Sequence, residues 1–265
     1  MKNILSILAL ALAMVGLQLS FALPSQADTL AALFGNNLQV VAAAGKANNI
    51  SVSTDVAGNV LVSDTGDVVR VDGGLCAQVN AHQVRCEGVI FVRIFAGDLD
   101  DTITNTSAVS THQSGGPGRD ILRGGVGGDS LAGGLGDDTA FGNGGDDSFQ
   151  ADGIDGRDSF SGGAGSDTAA YNNRGAAQTI TLDGVANDGT AGEGDNLRGD
   201  VENVLGGAGA DRITGNGAAN EIRGGFGDDV INTVDGIGGN DILSAAGGTD
   251  TCTSDSGDIE LTCEI

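Results

Sequence analysis

The chain has no tryptophan, one tyrosine, two prolines and two histidines in 265 residues, and aromatic side chains make up 3% of it. So few large side chains do not describe an ordinary close-packed core. A Ser-His-Asp relay has only His82 and His112 to choose from, and neither an H-E-x-x-H nor a G-x-S-x-G stretch occurs. Basic residues are also scarce: 12 Lys and Arg stand against 36 Asp and Glu, a formal net charge of −24. That argues against nucleic acid or an anionic membrane surface as partner, since both need basic patches. Of the four cysteines, Cys76 and Cys86 form one close pair and Cys252 and Cys263 another. Zinc is the competing reading, but the spacings do not suit it and imidazole is scarce, so two local disulfides are expected. A ring of about ten residues closed in this way stabilises by roughly 3 kcal/mol in the chain-entropy picture.

One long apolar run is present, Ile4 to Leu17, behind Met1-Lys2-Asn3 and ahead of Ser25-Gln26-Ala27. This is the pattern of a signal peptide, so residues 1–27 are expected to be removed before Asp28 and the protein to be secreted. An uncleaved anchor is the alternative. The run is short for a span of about 20 residues, and no membrane insertion is expected after cleavage.

What the chain has in abundance is glycine, 47 residues of it, and the glycines keep a register. Residues 115–141 read in nines as GGPGRDILR, GGVGGDSLA and GGLGDDTAF. GNGGDDSFQ (142–150), GIDGRDSFS (153–161) and GGAGSDTAA (162–170) follow. A second block runs GGAGADRIT (206–214), GNGAANEIR (215–223), GGFGDDVIN (224–232), GIGGNDILS (236–244) and AAGGTDTCT (245–253). In these eleven units position 6 is Asp in all but one: Asp120, Asp129, Asp138, Asp147, Asp158, Asp167, Asp211, Asp229, Asp241 and Asp250, with Asn220 the exception. Position 8 is apolar throughout, from Leu122 to Cys252. Low-complexity disorder would let such a frame drift, whereas here it restarts cleanly after slips of two and three residues.

One apolar side chain per nine residues is a three-residue strand with a single inward residue, which no unit can bury alone and a stack of units can. The glycines allow a tight turn whose carbonyl oxygens face its inside. If consecutive turns fall on opposite edges of a flattened roll, Asp120 lies over Asp138 and Asp129 over Asp147. Carboxylates about 4.8 Å apart repel by roughly 3 kcal/mol at an effective dielectric near 20. A hard divalent cation reverses that sign. Calcium takes six to eight oxygens in flexible geometry, which paired Asp side chains and turn carbonyls can supply; magnesium demands a tighter octahedron.

In residues 115–170 and 206–253, and more loosely in 96–104 (AGDLDDTIT), the frame resembles the nonapeptide of the RTX family, the haemolysin-type calcium-binding repeats. The resemblance implies an all-β chain, a right-handed parallel β-roll binding several Ca2+ ions. It implies the ten position-6 aspartates as side-chain ligands, with Asn220 in the same slot. Backbone ligands are implied at Gly116, Gly118, Gly125, Gly127, Gly134, Gly136, Gly163, Gly165, Gly207, Gly209, Gly225 and Gly227. The leader and the cysteine tail depart from members that use a dedicated exporter, and no attached protease, lipase or pore-forming domain is found.

The expected organisation is therefore a signal peptide (1–27), a β-rich N-terminal cap (28–95) with a short helix at Thr29–Phe34, a calcium-binding roll (96–253) with an insertion (171–205), and a disulfide cap (254–265). The loop acids Asp183, Asp188, Glu193 and Asp195 are read as a solvated acidic loop, with one further calcium site as the alternative. The functional expectation is a secreted calcium-binding protein, not an enzyme, with a structural or adhesive role and contact to a cell surface or polysaccharide. The alternative is a calcium-dependent hydrolase or polysaccharide-binding module with its site in 28–95 or 171–205. Position 3 carries no threonine row, which disfavours ice. Oligomeric state is not legible.

Overall fold

The computed structural model describes residues 28–71, 74–151 and 156–263. The expected leader, residues 1–27, lies outside the described residues. Those residues are all-β: strands and turns with no helix among them. From Phe91–Phe95 onward, successive strands alternate between two faces and pair in parallel with strands one coil away. This is a parallel β-roll.

One face is a single twelve-stranded sheet running from Val69–Val71 at one end, through Ser110–Pro117, Ser130–Leu135 and Ser148–Gln150, to Ile259–Leu261 at the other. The opposing strands form two sheets. A nine-stranded one includes Thr102–Asn105, Ile121–Arg123, Thr139–Gly144 and Ser159–Ala164 and ends at Asn196–Leu197. A four-stranded one runs through Thr179–Thr181, Arg212–Thr214, Val230–Asn232 and Thr251–Thr253.

The register shows how the sequence slips are absorbed. His112 pairs with Ser130 and Ser130 with Ser148, 18 residues or two nonapeptides apart. After the two-residue slip Ser148 pairs with Thr168, and after the three-residue slip Glu221 pairs with Ile242. Added length between strands is cheap, and the ladder keeps its register across both slips.

Position 8 points inward as its period requires. Leu122, Leu131, Phe149, Phe160, Ile213, Ile222, Ile231 and Leu243 are buried, and Phe149 stacks on Phe160 with ring centroids 5.3 Å apart. The same continuous core takes in Leu38, Val40, Ile50, Val52, Val92 and Ile94 from upstream of the repeats. Gln113 is the exception: a fully buried amide at a core position, donating to Thr111 Oγ1 and Arg123 O.

The helix expected at Thr29–Phe34 is not there. That stretch is a strand, antiparallel to Asn37–Val41 across a turn with Gly35 at φ 61° and parallel to Val69–Val71. The helix-favouring TLAALF composition yields because the strand pairs on both sides and buries its first four residues. Both cysteine pairs are joined, Cys76–Cys86 linking two antiparallel strands and Cys252–Cys263 tying the last turn to the tail.

Candidate metal centres

Each position-6 residue is the last residue before a strand of three or six residues, so the stacking of strands stacks these side chains in rows along the edges of the roll. Asp120, Asp138 and Asp158 follow one another on the turns feeding the nine-stranded sheet, and Asp129, Asp147 and Asp167 on those feeding the twelve-stranded sheet. Asp211, Asp229 and Asp250 form a third row. In all three rows the carboxylates climb a ladder of backbone amides. Asp120 N–H donates to Asp138 Oδ1 (2.7 Å), Asp129 to Asp147 (2.7 Å), Asp147 to Asp167 (2.9 Å), and Asp211 to Asp229 (2.8 Å). One oxygen of each carboxylate is thereby satisfied without any ion, a device the sequence reading of bare repelling pairs did not contain.

The other oxygen is the informative one. Oδ2 of Asp120, Asp147, Asp167, Asp229 and Asp241 is buried and receives no hydrogen bond. An ionisable oxygen shut away from water with no donor is costly, and here it recurs row after row. Burial, opposed by the ladder amide and reinforced by neighbouring aspartates, pushes Asp120 and Asp147 up to about 7. For the same reason Asp167 and Asp229 rise to about 6, and Asp241 is raised as well.

Turn carbonyls supply the rest of the donor set. Gly134 and Gly136 have φ of 113° and 124°, and a Cβ on either would run into Gly116 O or Gly118 O of the turn one coil earlier. Gly116, Gly118, Gly163, Gly165, Gly225 and Gly227 share that conformation and stand over backbone oxygens in the same way. The carbonyls of Gly207 and Gly209 lie beneath Gly225 and Gly227. Among the described residues no three or more His, Cys, Asp or Glu side chains gather into a cage. A cation in these rows must therefore be held by one or two carboxylates and several carbonyls. Such an all-oxygen, carbonyl-rich set suits calcium.

Not every turn is alike. Some turns close on themselves: Gly125 N–H donates to Asp129 Oδ2 (2.6 Å), Gly207 N–H to Asp211 Oδ2 (2.8 Å), and Asn216 N–H to Asn220 Oδ1 (2.9 Å). Gly125, Gly127, Gly207 and Gly209 accordingly lack the left-handed φ of their counterparts. The turns that carry Gly116 and Gly118, Gly134 and Gly136, Gly163 and Gly165, and Gly225 and Gly227 stay open.

A family model described as the RTX calcium-binding nonapeptide repeat matches in four copies, at residues 114–149, 152–169, 198–231 and 231–258. The chain thus carries RTX calcium-binding nonapeptide repeats across residues 114–258. RTX nonapeptides bind several calcium ions, and the buried Oδ2 atoms and carbonyl-lined turns of this chain fit that ion. No curated protein matches the chain.

The RTX ladder extends past the matched segments. Asp101, in AGDLDDTIT, accepts Asn48 N–H on Oδ1, leaves Oδ2 buried and unbonded, and is pushed up to about 6 by burial. Gly97 (φ 116°) and Leu99 (φ 74°) repeat the open turn there, and Leu99 in a glycine slot is what blurs the signal. Glu202 replaces an aspartate in the slot after Asp167, accepting its N–H at 2.9 Å, and Asp258 extends the row beyond Asp241. The exposed position-5 aspartates form an outer ladder: Arg119 N–H donates to Asp100 Oδ1 and Arg157 N–H to Asp137 Oδ1.

The loop acids are corrected. Asp188, Glu193 and Asp195 are buried rather than solvated, because backbone and side-chain donors surround them. Asp188 accepts Thr181 N–H (2.6 Å) and Leu197 N–H (2.9 Å), bolting together the two sheets that meet at the insertion, while Asp183 caps Val185 N–H. His82 Nδ1 lies against the Asp67 carbonyl, and His112 Nδ1 lies 3.1 Å from Ser130 Oγ, its register partner on the neighbouring strand.

Proposed function

We propose that this is a secreted, non-catalytic protein whose roll forms when calcium enters the turn rows, and that the loaded roll serves a structural or adhesive role at a cell surface. The observation that carries the reading is the series of buried, unbonded Oδ2 atoms on Asp120, Asp147, Asp167, Asp229 and Asp241. When bound, the ion supplies the positive charge that lets those oxygens stay ionised. The chain supplies everything else. The ladder amides fix each carboxylate, the glycines bring carbonyls within reach, and the closed turns at Asp129, Asp211 and Asn220 are held by their own amides. Export is supported by the leader-like segment and by two disulfides, which persist in oxidising compartments.

Calorimetric titration of the chelator-stripped chain tests the binding reading: several ions with a large heat of coupled folding are expected. Absence of heat with millimolar calcium would remove it. Export predicts mature protein in the medium beginning at Asp28; adhesion predicts cell-bound protein released by chelator.

The enzymatic alternative has its best case in an open depression at the insertion, lined by Arg157, Asn187, Gly192, Glu193 and Gly194. That lining offers no nucleophile beside a base.

A further inference from the structure

The row that runs Asp101, Asp120, Asp138, Asp158 does not stop at the insertion. Asp158 N–H donates to Asp195 Oδ1 at 3.0 Å, the same ladder bond, so Asp195 takes the next slot although it lies outside the nonapeptide frame. Its second oxygen is handled differently from those of Asp101 and Asp120, which receive no hydrogen bond. Tyr171 Oη–H donates to Asp195 Oδ2 at 3.1 Å, and Arg174 Nη2 stands 3.7 Å from it.

Arg174 is the reason. Its side chain is 2% exposed, in the turn between Thr168–Ala170 and Thr179–Thr181. Nη1 pairs with Glu193 Oε2 at 2.6 Å and also reaches Gln178 Oε1 at 3.3 Å. Nε donates to Ala151 O at 2.7 Å, a carbonyl of the turn one coil earlier. The guanidinium lies over the Tyr171 ring, 4.8 Å from its centroid. A buried cation thus holds two carboxylates and a turn carbonyl, the donor types that calcium would take at Asp101 and Asp120.

We infer that Arg174 is a resident cation, occupying beside Asp195 the place that calcium takes in the regular part of the row, so that the insertion is a calcium-free joint between two separately loaded blocks. The inference rests on the calcium reading given above. The flanking geometry agrees with it. The Arg174 carbonyl accepts Ala208 N–H (2.8 Å), and the turn above it is the closed one at Asp211. On the opposite edge at this level, Asn216 and Asn220 amides donate to Val201 O and Glu202 O, both at 2.9 Å. Neutral donors there meet carbonyls that would otherwise be left for an ion.

The test is a count of bound calcium by native mass spectrometry on the full chain, comparing wild type with Asp147→Asn, Asp195→Asn and Arg174→Met. Asp147→Asn should lower the count by one, which establishes that position-6 carboxylates bind. Asp195→Asn should leave the wild-type count unchanged, because no ion sits there. Arg174→Met should gain one ion, drawn in by Glu193 and Asp195. A loss of one ion in Asp195→Asn would overturn the inference, as would a folded Arg174→Met with the wild-type count. Should Arg174→Met not fold, Asp195→Asn alone decides. A wild type that binds no calcium fells the underlying reading, and this inference with it.

Discussion

A position-6 aspartate in this roll has two oxygens with different duties. In the open turns Oδ1 is spent on the amide one coil earlier, and Oδ2 is buried without a hydrogen bond, as at Asp147. This division sets the pH response of the metal-free chain. The pKa values of Asp120 and Asp147 are raised to about 7 by burial, above the ordinary value of 3.8. A carboxyl raised in the fold contributes stability that is fully present below its unfolded value and is lost as pH rises through the folded one. In chelator, therefore, acid substitutes for the ion. The roll should be more ordered near pH 4.5 than at pH 8, with stability lost progressively between about 4 and about 7. A chelator-treated chain gaining β-structure with rising pH in circular dichroism would contradict this. Glycine has an equally local test. Gly136→Ala places a Cβ against Gly118 O at φ 124° and should cost on the order of 1–3 kcal/mol in the calcium-loaded state. Gly217→Ala, with open space around it and no left-handed φ, should melt within a degree or so of wild type.

At the scale of the turn and strand, much was legible and some was not. The eleven turns, their stacking two units apart and the inward position 8 follow from a frame that glycine and aspartate keep, because each residue type there has one physical job. The open and closed states of the turns were not legible. Gly125 and Gly134 occupy the same frame position in identical GG dipeptides, and only the preceding coil decides which conformation each adopts. Asp195 and Glu202 were hidden because they enter the ladder from outside the frame, and Arg174 because nothing local marks a surface-looking turn arginine as buried. Thr29–Phe34 misled through composition, since strand pairing across sequence distance outweighs the helix preference of Leu and Ala. The terminal disulfide makes its own prediction. Cys252 sits at the last core position and Cys263 fixes the tail, so replacing both with Ala should cost about 3 kcal/mol in the chain-entropy picture. Faster hydrogen exchange should be confined to the final coil; loss of protection throughout the roll would contradict that localisation.

At the scale of the molecule, the roll is one hydrophobic thread between two faces, edged with acid. The apolar thread is continuous from Leu38 to Leu243, yet it is thin, one side chain per nonapeptide in the repeats. Stacking the acidic turns works against it, and the chain carries a formal charge of −24. The insertion is where this conflict is resolved by protein groups alone, with Arg174 and Asp188 in place of ions. The open turns, with their unbonded Oδ2 atoms, require a cation. Far-UV circular dichroism of the full chain at neutral pH, in chelator and then through a calcium titration, tests that requirement most directly. The account predicts little ordered structure without calcium, a cooperative rise of β-signal as calcium is added, and a much weaker response to magnesium. A chelator-treated chain with the β-signal and melting temperature of the calcium-loaded one would contradict it.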